Sequence, residues 1–478
     1  MLFNSISFLL FFPVVTALYF LLPHRWRWSL LLAASSAFYM AFVPAYILIL
    51  LFTIVVDYFA GRLLESAQGR RRVVYLTASL IANIGVLAFF KYYDFLALNI
   101  SALNALLGLQ VDLPLLQIVL PIGLSFHTFQ AMSYTIEVYR GHQKAERHFG
   151  IYALYVMFYP QLVAGPIERP QNLLHQFREE HRFDYQRVTD GLKQMALGMF
   201  KKVVIADHLA TEVNRVYDDP SHYHGLALIV ATIFFSFQIF YDFSGYSDIA
   251  RGSAQVMGFT LMKNFDNPYA SSSISEFWRR WHISLSTWFR DYLYIPLGGS
   301  RTSAGRRYSN LMIVFVLSGL WHGANWTYVV WGALHGVYLV FGVATQPLRR
   351  RLGFARKNAA SVVVVFALAA LAWVFFRANN VSDAFYIVSH MTTGLGGDLE
   401  ALLSGSGFQG FTSGAVFYRL LAIGVMLYLE RVDATHGIFR LTARLPGFLR
   451  FSVYFFLVYS CVFMGLFGAT QQFIYFQF

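Results

Sequence analysis

Long apolar runs recur along this chain from its first residues to its last, with short polar stretches between them. Of its 478 residues, 57% are hydrophobic and only 13% are charged, whereas about 25% are charged in an ordinary soluble protein. The 48 Phe, 29 Tyr and 9 Trp residues suit a lipid-facing surface with aromatic belts at the interfaces. We therefore predict a polytopic integral membrane protein.

The positions of the apolar runs give the candidate membrane spans. A spanning helix needs about 20 residues, but several runs are shorter, and the run near 114–126 contains Pro114 and Pro121. Irregular backbone at membrane depth is tolerated only inside protein or around a cavity. We expect about 11 to 13 membrane segments, some of them re-entrant. The candidate spans lie near residues 6–23, 28–44, 45–60, 73–90, 151–166, 190–206, 226–245, 308–321, 326–345, 359–376, 413–430 and 451–470.

The formal charge of +12 is carried by short basic clusters between the apolar runs, such as Arg70–Arg72, Lys201–Lys202 and Arg349–Arg351. Cytoplasmic loops of membrane proteins carry clusters of this kind. Topology and attraction to anionic membrane lipid therefore explain the charge better than nucleic acid does, and we expect no nucleic-acid partner.

The basic clusters also predict an orientation. If residues 24–27 and 62–72 lie in the cytoplasm, the N-terminus lies outside, which is the periplasm in a Gram-negative cell. The clusters at 301–307, 349–357 and 431–450 then face the cytoplasm as well. The Gly-rich stretch 377–413 is expected to face outward.

Composition and motifs exclude several other classes. No stretch between spans is long enough to build its own core, so residues 1–478 are predicted to form one transmembrane domain whose motifs concentrate in residues 240–340. The single cysteine, Cys461, excludes an intrachain disulfide and a multi-cysteine metal site. There is no Walker loop, dinucleotide fingerprint or Gly-x-Ser-x-Gly elbow, so an ATP-driven pump and a soluble-type serine hydrolase are disfavoured.

The densest chemistry lies between Glu276 and His335, where ionisable groups stand among tryptophans. Such groups are costly in a membrane and mark functional sites by default. Ser273 and Glu276 are spaced as a capping box, and Phe277, Trp281, Leu285 and Trp288 recur at helical spacing. We expect an amphipathic interfacial helix here, with Arg279 and Arg280 on its basic face. For His282, a chemical or orienting role and simple anchoring are equally favoured.

His322 is the strongest candidate for chemistry. It lies between two apolar runs, with Trp321 before it and the helix-breaking Gly-Ala-Asn325 after it. Because residues 308–345 hold two spans and a turn with difficulty, we expect His322 at a helix break within the membrane, beside a cavity. A histidine there can act as a general base near neutral pH. His335 lies in the next span, where helix packing or tunnel lining is favoured over direct chemistry.

Other polar groups stand at membrane depth in three segments. They are Tyr241–Asp248, which carries Asp242 and Asp248, the turn Gly165–Pro170, and Ser125–Arg140. Each could bond neighbouring helices together or line a tunnel, and the first role is favoured.

Several of these segments resemble the membrane-bound O-acyltransferase family, and in particular its bacterial branch for alginate O-acetylation and teichoic acid D-alanylation. The matching pieces are Tyr241–Asp248, Glu276–Trp288 and Trp321–Trp326, together with Lys263–Pro268, Ala164–Pro166 and the terminal Tyr475–Phe478. The resemblance covers nearly the whole chain. It implies an all-α helical bundle around a narrow central tunnel, with His322 as the catalytic histidine and His282 as a supporting polar residue.

The resemblance also implies an activity. An acetyl group would pass from cytoplasmic acetyl-coenzyme A across the inner membrane to a periplasmic partner protein or directly to an exported polysaccharide. No permanently bound cofactor and no metal are expected. Trp281, Trp321, Asn325, Asp242, Asp248, Arg279, Arg280 and His335 are the candidate substrate or tunnel residues.

Two alternatives stay open at this point. One is a proton-coupled transporter of polysaccharide or acyl lipid, with His322 as proton relay, since broken helices and midplane polar groups also mark transporters. The other is a family member that uses another acyl donor or another acceptor, such as peptidoglycan, cellulose or teichoic acid.

Overall fold

The computed structural model describes residues 1–109, 112–163, 165–351, 358–467 and 473–474. Within these ranges the regular secondary structure is helical and no strand occurs, so the predicted all-α class is confirmed. The motif residues Ala164 and Tyr475–Phe478, and residues 352–357 of the predicted basic loop, lie outside the described part of the chain.

The chain divides into two compact units. The first holds Met1–Met195 and Tyr246–Met262, and the second holds Ala196–Gly245 and Lys263–Phe478. The helices that begin in the first unit are Ile6–Leu21, His24–Met40, Ile47–Ser66, Arg70–Leu106, Leu124–Arg140, Phe149–Met157, Tyr159–Leu162, Pro170–Leu173 and Tyr185–Met199.

The second unit carries the predicted site. Its helices are Asp207–Tyr217, Gly225–Met257 (whose last residues belong to the first unit), Ile274–Arg280, Ile283–Phe289, Ala304–His322, Trp326–Ala344, Gln346–Arg351, Ala359–Arg377, Val381–His390, Leu395–Leu403, Ser413–His436, Ile438–Ala443 and Gly447–Met464. Two π-helical segments, Phe200–Ala206 and Arg290–Tyr294, complete it.

Six helices in the described residues are long and apolar enough to cross a membrane, which fits a multi-pass membrane protein. They are Pro44–Ser66, Arg70–Leu106, Gly225–Met257, Trp326–Ala344, Ala359–Arg377 and Gly447–Met464. Other predicted spans form helices that are shorter or more polar, so the total of 11 to 13 segments stays a prediction. The predicted span near 151–166 is broken at Phe158, ahead of Pro160, and this broken segment is buried in protein.

Polar residues of the first unit join its segments, as expected for Ser125–Arg140. Gln130 donates a hydrogen bond to the Tyr155 carbonyl oxygen, and Gln171 donates to Glu137 at 2.7 Å. The turn at Gly165–Pro170 is held in a similar way, because the Met262 N–H donates to Glu168. The favoured role of interhelical bonding therefore fits both segments.

The structure corrects the interpretation of Lys201 and Lys202 as cytoplasmic loop residues. Both lie in the π-helical segment and are buried, with 8% and 1% of their surface exposed. Lys201 lies 3.4 Å from Glu430, and Lys202 lies 2.7 Å from Asp207. A buried cation is tolerated when it is paired, and the sequence pattern did not show these carboxylates as partners.

Helices Ala304–His322 and Trp326–Ala344 form an antiparallel hairpin whose backbones approach closely at glycines. A Cβ atom added to Gly319 would lie 2.2 Å from the Tyr328 carbonyl oxygen, and one added to Gly332 would lie 2.3 Å from the Phe315 carbonyl oxygen. Small residues allow this approach in membrane helices, where packing drives association. The hairpin glycines therefore set the spacing of the two helices that carry His322 and His335.

We expect Gly332→Ala to lower the thermal stability of the protein, because the new methyl group overlaps the backbone of the neighbouring helix. Overpacking of this kind costs about 1–3 kcal/mol. The matched control is Gly342→Ala in the same helix, where the nearest atom lies 3.9 Å from the added Cβ. Thermal unfolding in detergent should show a lower midpoint for Gly332→Ala alone, and equal midpoints for the two variants would contradict the packing argument.

Candidate active site

His322 is the last residue of its helix, and the chain breaks there before the next helix begins. Gly323 is extended at the C-cap, and the Asn325 side chain caps the following helix by accepting a hydrogen bond from the Thr327 N–H at 3.0 Å. An Asn at this position is a preferred N-cap. The predicted helix break at residues 323–325 is therefore confirmed.

The helix lengths correct one step of the prediction. Each helix of the hairpin has 19 residues, which corresponds to a length of about 28 Å at 1.5 Å per residue. By length and composition Trp326–Ala344 is one of the six helices that can cross a membrane, whereas Ala304–His322 is not among them. The expectation that both runs are too short to cross is therefore wrong for the second run, while the crossing of the first run stays untested. The depth of His322 in the membrane stays a prediction.

The segment that carries His282 differs from the predicted amphipathic helix. Ser273 accepts a hydrogen bond from the Glu276 N–H at 3.1 Å, which confirms the predicted helix start. This helix ends at Arg280, however, and a second one begins at Ile283. His282 stands between them in the left-handed region at φ 43° and is fully buried. The prediction of one continuous interfacial helix is therefore wrong.

Asn264 holds the break in place and explains why it forms. The Ile283 N–H donates to the Asn264 carbonyl oxygen at 2.9 Å. The Asn264 side-chain Oδ1 accepts from the Ser284 N–H at 3.2 Å and from the Ser284 hydroxyl at 2.8 Å. These bonds satisfy the start of the second helix, so the strained backbone at His282 is stabilised by its surroundings.

The same Asn264 oxygen determines the protonation of His282. His282 Nδ1 lies 3.3 Å from Asn264 Oδ1, and Oδ1 can only accept, so Nδ1 carries the proton. Burial lowers the pKa of His282 to about 3. The imidazole is therefore neutral at physiological pH, and its Nε2 bears the lone pair.

Aromatic rings enclose His322. The ring centroids of Trp321, Trp331 and Phe376 lie 4.9, 5.0 and 5.2 Å from that of His322, all in edge-on geometry. The Trp321 ring also lies 6.2 Å from His282, so the structure brings the two predicted histidines to one indole. Only 4% of His322 is exposed. Such a wall shields the ring from water.

His335 bonds the hairpin to the helix Ile274–Arg280. The Trp278 indole N–H donates to His335 Nδ1 at 3.2 Å, and the His335 ring stacks parallel to Phe277 at 6.2 Å. His335 is fully buried. This placement supports the packing role that the sequence favoured for His335.

The other predicted residues of the second unit have varied surroundings. Trp281 is buried, and its ring centroid lies 5.0 Å from that of Trp373, so it belongs to the aromatic wall behind the site. Arg280 lies 2.8 Å from Glu276, one turn earlier in the same helix, whereas Arg279 is exposed. Asn325 acts as a helix cap.

The two predicted aspartates fall in different units. Asp242 is buried in the second unit, 2.8 Å from Lys202. Asp248 belongs to the first unit, where Gln194 donates to it at 3.3 Å and Arg251 lies 3.9 Å away.

Sequence reasoning missed Asn264, which holds the backbone around His282. Asn264 lies inside the quoted Lys263–Pro268 motif, but its spacing from His282 carries no periodic signal. No group of three or more His, Cys, Asp or Glu residues that could hold a metal occurs among the described residues.

Comparison with known proteins identifies the family. Residues 146–381, a range that contains all three site histidines, match the model of the membrane-bound O-acyltransferase family, MBOAT. The chain is 41% identical over 399 residues to the probable alginate O-acetylase of Pseudomonas aeruginosa, which covers 82% of this chain and 75% of that protein. Identity to the peptidoglycan O-acetyltransferase of Helicobacter pylori is 35% over 434 residues, or 83% and 80% of the two chains.

A more distant relative is the teichoic acid D-alanyltransferase of Streptococcus thermophilus, 29% identical over 259 residues, or 50% of this chain and 60% of that protein. This chain belongs to the membrane-bound O-acyltransferase family. It is a multi-pass membrane enzyme that transfers acyl groups, and the resemblance found in its motifs is confirmed.

We expect Asn264→Ala to reduce acyl transfer, because His282 loses the acceptor that sets its tautomer and Ser284 loses two hydrogen bonds to the same oxygen. A buried group left unsatisfied costs about 1–3 kcal/mol. Asn264→Asp keeps an acceptor oxygen and should retain more activity than Asn264→Ala. Initial rates at matched amounts of folded protein check this, and wild-type rates in Asn264→Ala would contradict it.

Proposed function

We propose that this chain moves acetyl groups from cytoplasmic acetyl-coenzyme A across the inner membrane for O-acetylation of an exported polysaccharide of the alginate class. The observation that carries the proposal is the placement of His322, at a helix break inside an aromatic wall and one indole away from a neutral, buried His282. The identity of 41% to a probable alginate O-acetylase supports this acceptor class. The immediate acceptor is a hydroxyl group of the polymer or of a periplasmic partner protein.

In the proposed reaction His322 acts as the general base. Its imidazole takes the proton of the acceptor hydroxyl as the oxygen attacks the thioester carbon. The tetrahedral intermediate then collapses, the carbon–sulfur bond breaks, and the coenzyme A thiolate takes the proton back from His322. No net proton is consumed. A relay through an acetyl-histidine is the other chemistry open to this residue.

His282 supports this step as a hydrogen-bond acceptor. Because Asn264 accepts from its Nδ1–H, its Nε2 is the atom that can accept a hydrogen bond from an O–H or N–H group of a substrate. A neutral imidazole also adds no positive charge that would oppose protonation of His322 during the reaction. The fixed left-handed backbone at His282 keeps this geometry rigid, which is what catalytic preorganisation requires.

A pocket in the second unit is proposed as the donor site. It has a volume of about 850 Å³, and its apolar walls come mainly from the start of helix Ala359–Arg377 and the end of helix Ser413–His436. Arg280 and Arg431 also line it. By the positive-inside rule these helix ends face the cytoplasm, and guanidinium groups suit the phosphates of coenzyme A.

The inner wall of this pocket leads toward the catalytic histidine. Tyr269 lines the pocket and accepts a hydrogen bond from the Trp373 indole at 3.1 Å. Trp373 stacks on Trp331 at 5.7 Å, and Trp331 contacts His322. A thioester arm entering from this pocket therefore meets an aromatic partition that ends at His322.

Replacement of His322 tests the catalytic role. We expect His322→Ala to lose at least about 100-fold in acetyl transfer, since general acid–base catalysis contributes about 10²–10⁴-fold. The exposed His222→Ala serves as the matched control and should keep the wild-type rate. The assay follows labelled acetyl from acetyl-coenzyme A to alginate oligosaccharides in proteoliposomes, with peptidoglycan fragments as the competing acceptor. A well-inserted His322→Ala with wild-type transfer would refute the proposal.

A bulky side chain in the pocket tests the donor site. We expect Ala434→Trp to raise the KM for acetyl-coenzyme A at least about tenfold, as a loss of ground-state binding does, with little change in kcat. Leu421→Trp, on an exposed position of the same helix, is the control. An unchanged KM in Ala434→Trp would place the donor elsewhere.

A further inference from the structure

A buried ion cluster lies beside the site and has no part in the reaction above. Lys202 Nζ lies 2.7 Å from Asp207 and 2.8 Å from Asp242, and no more than 3% of any of these residues is exposed. A single buried ammonium shared by two carboxylates is costly unless the geometry and further hydrogen bonds satisfy it. Its presence in an apolar protein calls for a role.

The cluster forms because two segments approach closely at Gly245. A Cβ atom added to Gly245 would lie 2.7 Å from the Gly198 carbonyl oxygen and 3.2 Å from the Lys202 N atom. Only glycine allows this approach, which brings the helix of Asp242 against the π-helical segment Phe200–Ala206 that carries Lys202. The π-helical form of this segment fits a functional position, since such bulges are frequent at functional sites.

The second oxygen of Asp242 binds a segment near the end of the chain. The Ile474 N–H donates to Asp242 Oδ2 at 2.8 Å, and Phe473 and Ile474 are 0% and 1% exposed. The segment that carries Lys202 makes another contact with this end of the chain, because the Leu466 N–H donates to the Val203 carbonyl oxygen at 3.2 Å. Leu466 is thus bonded to the segment that carries Lys202, and Ile474 is bonded to the carboxylate that pairs with Lys202.

The attached segment reaches the site through two aromatic contacts. The Phe473 ring lies 5.7 Å from that of Phe243, and Phe243 meets the His282 ring edge-on at 4.6 Å. Phe243 directly follows Asp242 in the helix. The Asp242 carboxylate therefore binds residue 474, and the adjacent Phe243 contacts both Phe473 and His282.

We propose that Asp242, held by Lys202 and Asp207, is a positioning residue that seats residues 473–474 against Phe243 and so fixes the ring of His282 for acyl transfer. The catalytic effect of this anchor rests on the proposed function, whereas the binding of residues 473–474 to Asp242 and Phe243 does not. Asp242 touches no reacting atom in this scheme. Its effect reaches the reaction through the tail residues, Phe243 and His282.

The test measures the accessibility of residue 474 and the rate of acyl transfer separately, in the whole chain. Ile474→Cys is introduced with Cys461→Ala, which removes the only native thiol. With Asp242 present, the buried thiol should react slowly with a maleimide. With Asp242→Ala we expect labelling at least about tenfold faster and kcat at least about tenfold lower, since a hydrogen bond to a charged acceptor is lost, while the KM for acetyl-coenzyme A stays within about twofold.

Two further variants separate positioning from general damage. Asp242→Asn keeps an acceptor oxygen and should fall between the wild type and Asp242→Ala in both labelling and kcat. Ile474→Pro removes the donor N–H and leaves the three charges in place. It should lower kcat like Asp242→Ala and replaces that variant if Asp242→Ala fails to fold. Asp219→Asn, on an exposed aspartate, is the control.

Each outcome decides the proposal. Unchanged labelling in Asp242→Ala would overturn the anchor, and an unchanged kcat in Ile474→Pro would overturn the positioning role. Faster labelling with an unchanged kcat would overturn the positioning role. Failure of the proposed function is seen elsewhere, as activity in His322→Ala, and leaves the labelling result standing.

Discussion

The site depends on the close approach of two helix backbones at Gly319 and Gly332. Membrane helices gain little from hydrophobic burial against each other, because lipid tails are equally apolar. Backbone contact made possible by glycine supplies the association instead. This contact sets the spacing of the hairpin, and the short break between its helices then leaves His322 at the end of the first one, with its ring between Trp321 and Trp331.

A second constraint governs the polar groups around this hairpin. A polar group removed from water must find a partner within the protein. Asn264 satisfies the break at His282, the Trp278 indole bonds His335, and Asp242 pairs with Lys202. In each case the pairing also fixes an orientation or a tautomer. Pairing thus lowers the free-energy cost of burying these polar groups and also gives the rigidity that an acyltransferase site requires.

Much of the fold follows from local sequence signals. Apolar runs show where helices lie, and the Gly-Ala-Asn325 stretch shows the break after His322, because glycine and asparagine end and cap helices. Charge patterns were less reliable. Lys201 and Lys202 have the pattern of a cytoplasmic loop, yet both are buried. Lys201 pairs with Glu430 and Lys202 with Asp242, and both partners are distant in sequence. Likewise, the capping box at Ser273 predicted the start of its helix, whereas the kink at His282 depends on Asn264, a tertiary contact without periodicity.

In the proposed reaction the His322 imidazole lies next to the reacting carbonyl carbon. A structure of the protein with a non-hydrolysable acetyl-coenzyme A analogue tests it most directly. We expect the nucleotide at the pocket lined by Arg280 and Arg431, with the carbonyl group of the acyl arm within about 3–4 Å of the His322 imidazole. An analogue bound with its acyl end away from His322, and with the wall of Trp321, Trp331 and Phe376 still closed around that ring, would contradict it.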